Sequence, residues 1–261
     1  MKKITFGNLA GVVGMGFGFF LQPAIGLAAD DVSEEADSIL RSMSNYLGSL
    51  KSFSYDFDVD SEVILSTGEK LQISASGTTK VRRPDGIYFF LHSGNGSGEI
   101  YFDGKSINLY GKGQNTFYRM ESVGTIDDAI DNWRFEVGVA AAGADLLFAD
   151  PYEILIDGVE SAEYMGTGVV GGIEGHHLAF RQQDVDWQIW IQTGETPLPL
   201  KYIITTKWMT SAPQFSLRLR NWNVDPDFGN EIFHFTPPPG ATRVEDISIN
   251  EVGLITIGEK P

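Results

Sequence analysis

Between Phe53 and Asp60 every second residue is apolar: Phe53, Tyr55, Phe57 and Val59 alternate with Ser54, Asp56, Asp58 and Asp60. Successive side chains of a strand point to opposite faces, so this octet suits a sheet that is buried on one face and wet on the other. The same period of two returns at Leu71, Ile73 and Ala75, and again at Trp187, Ile189 and Ile191. It continues through Leu200, Tyr202, Ile204, Thr206 and Trp208, and through Phe215, Leu217 and Leu219. Turn signals separate the runs, among them Ser66-Thr67-Gly68-Glu69, Pro84-Asp85-Gly86, Asp103-Gly104 and Thr193-Gly194-Glu195-Thr196-Pro197. Shorter strands are expected at 87–92, 99–102, 106–110, 116–121, 159–165, 175–183 and 231–235, with two apolar runs near Ile247 and Ile255. Ten or eleven strands in succession, with few crossovers, predict a curved antiparallel sheet or incomplete barrel.

Two places break the alternation. Before the first strand, Ser33 is a candidate N-cap with Glu34 and Glu35 in the first turn. Ala36, Ile39, Leu40, Met43, Leu47 and Leu50 then recur at three- and four-residue steps, the apolar stripe of a helix. In the middle of the chain, Thr125 caps a helix carrying Ile126, Ala129, Ile130, Trp133 and Phe135. An alanine- and glycine-rich stretch at 137–148 and a turn at 152–156 read as two more short helical pieces. No parallel-strand rhythm accompanies them, so they predict an insertion laid across one face of the sheet.

The N-terminus predicts export. Lys2 and Lys3 precede an uncharged, largely apolar run from 4 to 21, and Pro23 breaks it before the small-x-small pattern Gly26-Leu27-Ala28. Residues 1–28 are expected to form a cleaved signal peptide, leaving 29–261 as a single periplasmic or secreted domain. Glycines at 7, 11, 14, 16 and 18 dilute the run below the hydrophobicity of a span, so the product is not expected to cross a membrane. The chain has no cysteine, so disulfides, thiolate metal sites and acylation near the cut are excluded. Its formal charge of −16 opposes binding to nucleic acid and to anionic headgroups.

Little in the sequence carries chemistry. His176-His177 point to opposite faces of a strand and do not readily share a metal ion. Asp127, Asp128 and Asp131 suit the start of a helix, while Asp56, Asp58 and Asp60 suit the wet face of a strand. Gly111-Lys112-Gly113 and Gly171-Gly172 lack the phosphate-loop spacing, and no Gly-x-Ser-x-Gly elbow is present. No metal, cofactor or catalytic residue is assigned, and the chain is not expected to be an enzyme. What remains is an apolar excess. Phe53, Tyr55, Phe57, Ile87, Phe89, Trp187, Ile189, Tyr202, Ile204 and Trp208 are assigned to one face, which the helices must cover. Periodicity alone leaves a filled core and a ligand cavity equally open.

A series of short motifs bears on that choice: Gly77, Val81-Arg82-Arg83-Pro84, Tyr101-Phe102-Asp103-Gly104-Lys105, Leu109-Tyr110 and Phe233-His234-Phe235-Thr236-Pro237-Pro238-Pro239-Gly240. The series resembles the LolA-type outer-membrane lipoprotein carriers. Together with His176-His177-Leu178, Asp186-Trp187-Gln188-Ile189-Trp190 and Pro197-Leu198-Pro199, it is similar to an uncharacterised bacterial exported family of that superfamily. The resemblance implies an unclosed antiparallel half-barrel covered by helices acting as a lid, with the ten apolar residues as the ligand surface. It also implies a latch, the arginine before the proline, which is Arg83 by position in the motif, with Arg82 as its competitor. The implied role is a periplasmic binding or carrier protein for a lipid, a lipoprotein acyl chain or another apolar molecule. The alternatives are an envelope sensor or interaction domain with a protein partner and, last, an enzyme built in the half-barrel.

Overall fold

The computed structural model describes residues 32–94, 96–137, 142–249 and 255–257. The expected signal peptide, 1–28, lies outside the described residues, as do positions 138–141 of the expected second helical stretch. A helix, α1 (Glu34–Ser49), opens the described chain, and six strands follow: β1 (Ser52–Ile64), β2 (Lys70–Arg82), β3 (Gly86–Ser93), β4 (Gly96–Phe102), β5 (Ser106–Gly111) and β6 (Thr116–Glu121). Next come α2 (Ile126–Val137) and α3 (Pro151–Ile156), with a short 3-10 turn at Ala144–Leu147 between them. The second run of strands is β7 (Val159–Val170), β8 (Ile173–Gln182), β9 (Val185–Gln192), β10 (Pro199–Thr206), β11 (Gln214–Asn223) and β12 (Thr242–Val244). A separate two-stranded ribbon pairs β13 (Ile247–Ile249) with β14 (Ile255–Ile257).

Twelve strands make one open sheet, in the order β12-β6-β5-β4-β3-β2-β1-β11-β10-β9-β8-β7. Every pairing in it is antiparallel except that of β12 with β6. The long connection between β6 and β7 carries the inserted helices, and the last long strand, β11, returns to pair with β1. This is the unclosed, helix-covered antiparallel sheet expected from the sequence.

Local chemistry explains why the elements start where they do. The Ser33 side chain accepts from the Ala36 amide, and Asp150 caps α3 by accepting from the amides of Tyr152 and Glu153. At α2, Thr125 Oγ1 accepts from the Asp128 amide at 3.3 Å while the Asp128 carboxylate accepts from the Thr125 amide at 2.8 Å. These reciprocal bonds form a capping box with Asp in place of the usual Glu.

On β1 the odd residues face the helices and the even residues face away. Phe53, Tyr55 and Phe57 are buried, whereas Asp56, Asp58 and Asp60 accept from the hydroxyls of Thr78, Ser76 and Ser74 on the outer face. α1 lies across the β7–β9 half of the sheet and buries Ala36, Leu40, Met43 and Leu47 there, together with Ser44. It is tied to α3 by the Tyr152 hydroxyl, which donates to Asp37 at 2.5 Å, while Arg41 bonds Asp37 at 2.7 Å and stacks on the Tyr152 ring.

Three expectations need correction. The stretch at 137–148 forms, in its described part, only the end of α2 and the 3-10 turn, not a second α-helix. Residues 231–235 are not a strand: a 3-10 turn at Asn230–Ile232 sets Phe233 and Phe235 into the outer face of the sheet. There Phe235 touches the rings of Tyr101, Tyr110 and Phe117, and those ring contacts replace ladder hydrogen bonds. Finally, β10 stops at Thr206, so Trp208 sits in the following turn, 71% exposed, and takes no part in the concave face.

Candidate ligand cavity

The two halves of the concave face are filled differently. Under α1, the rings of Phe180 and Trp187 stack at 3.7 Å, and Leu178 and Ile189 are fully buried beside them. Under α2 the sheet and its cover stand apart and enclose a cavity of ≈ 300 Å³. Its floor comes from neighbouring strands: Tyr55, Phe57 and Val59 on β1, Thr79 on β2, Ile87, Phe89 and Leu91 on β3, Ile100 and Phe102 on β4, Ile107 on β5, and Phe215 and Leu217 on β11. Its roof is Ala129, Ile130 and Trp133 of α2 with Ala142, Gly143, Ala144 and Leu147 of the returning segment.

Nearly all of this lining is hydrocarbon. The Tyr55 hydroxyl is hydrogen-bonded to Thr79, its cross-strand partner, and burial pushes the phenol pKa up to about 12. The phenol therefore stays neutral near neutral pH. The Phe57 ring lies over Gly77, where the missing side chain leaves it room.

Of the ten residues assigned to the ligand surface, Tyr55, Phe57, Ile87 and Phe89 line the cavity. Phe53, Trp187, Ile189 and Tyr202 are buried elsewhere in the core, and Ile204 packs against the core half-exposed. Trp208 lies outside the face altogether. The assignment leaves out the roof, Val59, Thr79, Leu91 and Ile107 of the floor, and the neighbours on β4 and β11. Their alternation was visible, as in Phe215 and Leu217, but which strands stand side by side depends on the long-range pairing of β1 with β11.

The two arginines occupy opposite faces of the sheet. Arg83 turns toward the helices and donates to the carbonyl oxygens of Leu147 at 2.8 Å and Phe148 at 2.9 Å. Those carbonyls end the 3-10 turn of the roof, so Arg83 holds the cover to the sheet. Burial draws its guanidinium pKa down, an effect opposed by the nearby Asp127 carboxylate, which itself accepts from the Ala149 amide at 3.0 Å. An arginine so placed stays charged, and its bonds are of the stronger, charge-assisted kind. Arg82 turns the other way, onto Asn230, Asp85 and the ring of Phe233.

The histidines separate as their positions predict. His176 meets the Tyr164 hydroxyl at 3.1 Å, while His177 stacks on Trp190 at 4.0 Å and bonds Gln188. Among the described residues no helix is long and apolar enough to cross a membrane.

Comparison with known proteins adds a family. Residues 36–246 match the model of the family described as "Predicted periplasmic protein (DUF2092)", and the chain belongs to that family. The comparison with curated proteins finds no match. Among solved structures the chain is similar to the lipoprotein LppX of Mycobacterium tuberculosis, at 15% identity and a TM-score of 0.45, over 74% of this chain and 100% of that one. It is similar to a chain of the MucA/MucB complex of Pseudomonas aeruginosa, at 13% identity and a TM-score of 0.43, over 77% and 61%. It is also similar to a LolA superfamily protein from Nitrosomonas europaea, at 9% identity and a TM-score of 0.37, over 77% and 97%.

Proposed function

For a member of this periplasmic family, we propose a role in binding or carrying an apolar ligand, held between the β1–β5 floor and α2. The observation that carries this reading is the cavity itself. At about 24 cal/mol per Å³, an enclosed apolar void of that size would cost roughly 7 kcal/mol, and its open mouth reduces this. A half-open apolar surface of this kind favours an occupant that takes it out of water. Each methylene taken from water into it contributes about 0.8 kcal/mol.

The reading is of a binding protein and not of an enzyme. Among the described lining residues the polar side-chain groups are the hydroxyls of Tyr55 and Thr79 and the indole N–H of Trp133, with no charged side chain, which favours retention of a ligand over its conversion. Arg83, by holding the roof segment, is proposed to set how firmly the cover closes over a bound chain. Solvent extraction and native mass spectrometry of protein purified without detergent test the reading. Co-purifying lipid or a similar apolar species is expected, and failure of the delipidated protein to take up any hydrophobic probe would overturn it.

A further inference from the structure

We propose that the cavity takes one hydrocarbon chain, tail first, and has no room for a second. This rests on the reading above and names the class of ligand within it. Three features of the cavity point to a single chain.

The first is size. A volume of ≈ 300 Å³ lies at the bottom of the range of about 300–1,000 Å³ found for small-molecule sites.

The second is the wall. On the β11 side the roof comes down onto the floor at Gly143, where an added Cβ would stand 2.9 Å from Leu217 Cδ2. Beyond that contact the concave face is filled by the Phe180–Trp187 stack and the apolar stripe of α1. A second chain laid beside the first would meet side chains packed at interior density, which do not yield.

The third is polarity along the axis. At the end nearest the Arg83 contacts, Ile87, Phe102 and Ile107 are buried, whereas Val59, Leu91 and Phe215 are half-exposed toward the other end. The mouth is therefore at the Val59–Phe215 end. A headgroup carried inward from it would lose its water and find, among the described lining residues, no charged side chain and only the hydroxyls of Thr79 and Tyr55 and the indole of Trp133 to meet it. The tail thus enters and the head stays outside, unread by the cavity. A fatty acid and a lysolipid satisfy the same site, while a diacyl or triacyl lipid does not.

The test uses the full delipidated protein and a fluorescent fatty acid as probe. Palmitate, lysophosphatidylcholine and a tripalmitoylated lipopeptide are compared as competitors below their micelle-forming concentrations. The probe is expected to bind one to one. Palmitate and lysophosphatidylcholine should displace it about equally, and the lipopeptide should be weaker by roughly tenfold or more, as expected for surplus methylenes at a packed site. Equal displacement by the lipopeptide, or two chains per protein in native mass spectra, overturns the single-chain assignment while leaving a carrier intact. Strong preference for one headgroup overturns tail-first entry. Absence of binding by every probe removes the carrier reading as well.

Discussion

The Phe57 ring rests on Gly77: a Cβ at position 77 would stand 2.5 Å from Phe57 Cζ and 1.9 Å from the Phe90 carbonyl oxygen. The two residues face each other across β1 and β2, and both lie on the concave side. The glycine therefore lets an aromatic ring lie flat along the cavity floor and stack on Phe89 at 5.1 Å. Gly77→Ala is expected to destabilise the protein by at least about 1–3 kcal/mol, because neither ring nor backbone can move aside without repacking. Urea unfolding reads this directly, and a loss below half a kcal/mol would show that the floor is softer than its geometry.

Arg83→Ala should act on the cover. It removes two charge-assisted bonds and leaves the Leu147 and Phe148 carbonyls without this donor. A loss of about 2–3 kcal/mol is expected. Hydrogen exchange should quicken across α2 and the roof segment while β7–β9 stays protected. Arg82→Ala, on the opposite face, should leave exchange in α2 unchanged. If both variants loosen α2 equally, the anchoring role of Arg83 is wrong.

Filling the cavity should separate binding from folding. Ala129 lies in the roof with no large side chain of its own, and the space below it is open. Ala129→Phe is expected to abolish uptake of a fluorescent fatty acid at a stability change within about 1–3 kcal/mol, the range for added bulk. By contrast, Trp187→Ala removes a ring from the filled half and should cost about 3–5 kcal/mol. Uptake by the Trp187 variant, measured where it remains folded, should persist, since that ring does not touch the cavity. Unchanged uptake by Ala129→Phe would move the ligand to another site.

Much of this architecture was legible because the periods are local. The alternation of Phe53 to Asp60 marked β1, and the stripe from Ala36 to Leu47 marked α1, each from neighbouring residues alone. Trp208 continues the same alternation yet belongs to a turn, since nothing in a period of two says where the ladder stops. Phe233 and Phe235 misled in the same way, because alternate aromatics docking onto a sheet from outside look like a strand. The cavity was not legible at all. Trp187 and Phe89 follow one pattern, but α1 presses on the first and α2 stands off from the second, and that difference is set by tertiary packing. The Arg82–Arg83 choice likewise waited on the pairing of β2 with β1, since one step along a strand exchanges the faces.

The acid limb of stability should report the outer face of β1. Asp58 accepts from Arg220 Nε at 2.9 Å and Nη2 at 3.2 Å, and from the Ser76 hydroxyl at 2.7 Å. The Arg220 bond is the main cause holding its carboxyl below the ordinary aspartate value. Asp56 is lowered too, chiefly by the Asn221 side-chain amide and then by Thr78. With folded pKa values below the unfolded value of about 3.9, the unfolded chain takes up protons first as pH falls. The stability these groups contribute is thus complete above that value and is lost as pH drops through the folded pKa. The Asp58 side chain is 43% exposed, so solvent screens the pair and its share is small. The urea midpoint should therefore hold from about pH 7 to 5 and fall below about pH 4. Asp58→Asn should start lower at neutral pH and fall less steeply in acid, and 1 M salt should narrow the gap between the two proteins, as expected for a screened pair. An acid limb of equal steepness in both proteins would show that this carboxylate is not among those that carry it.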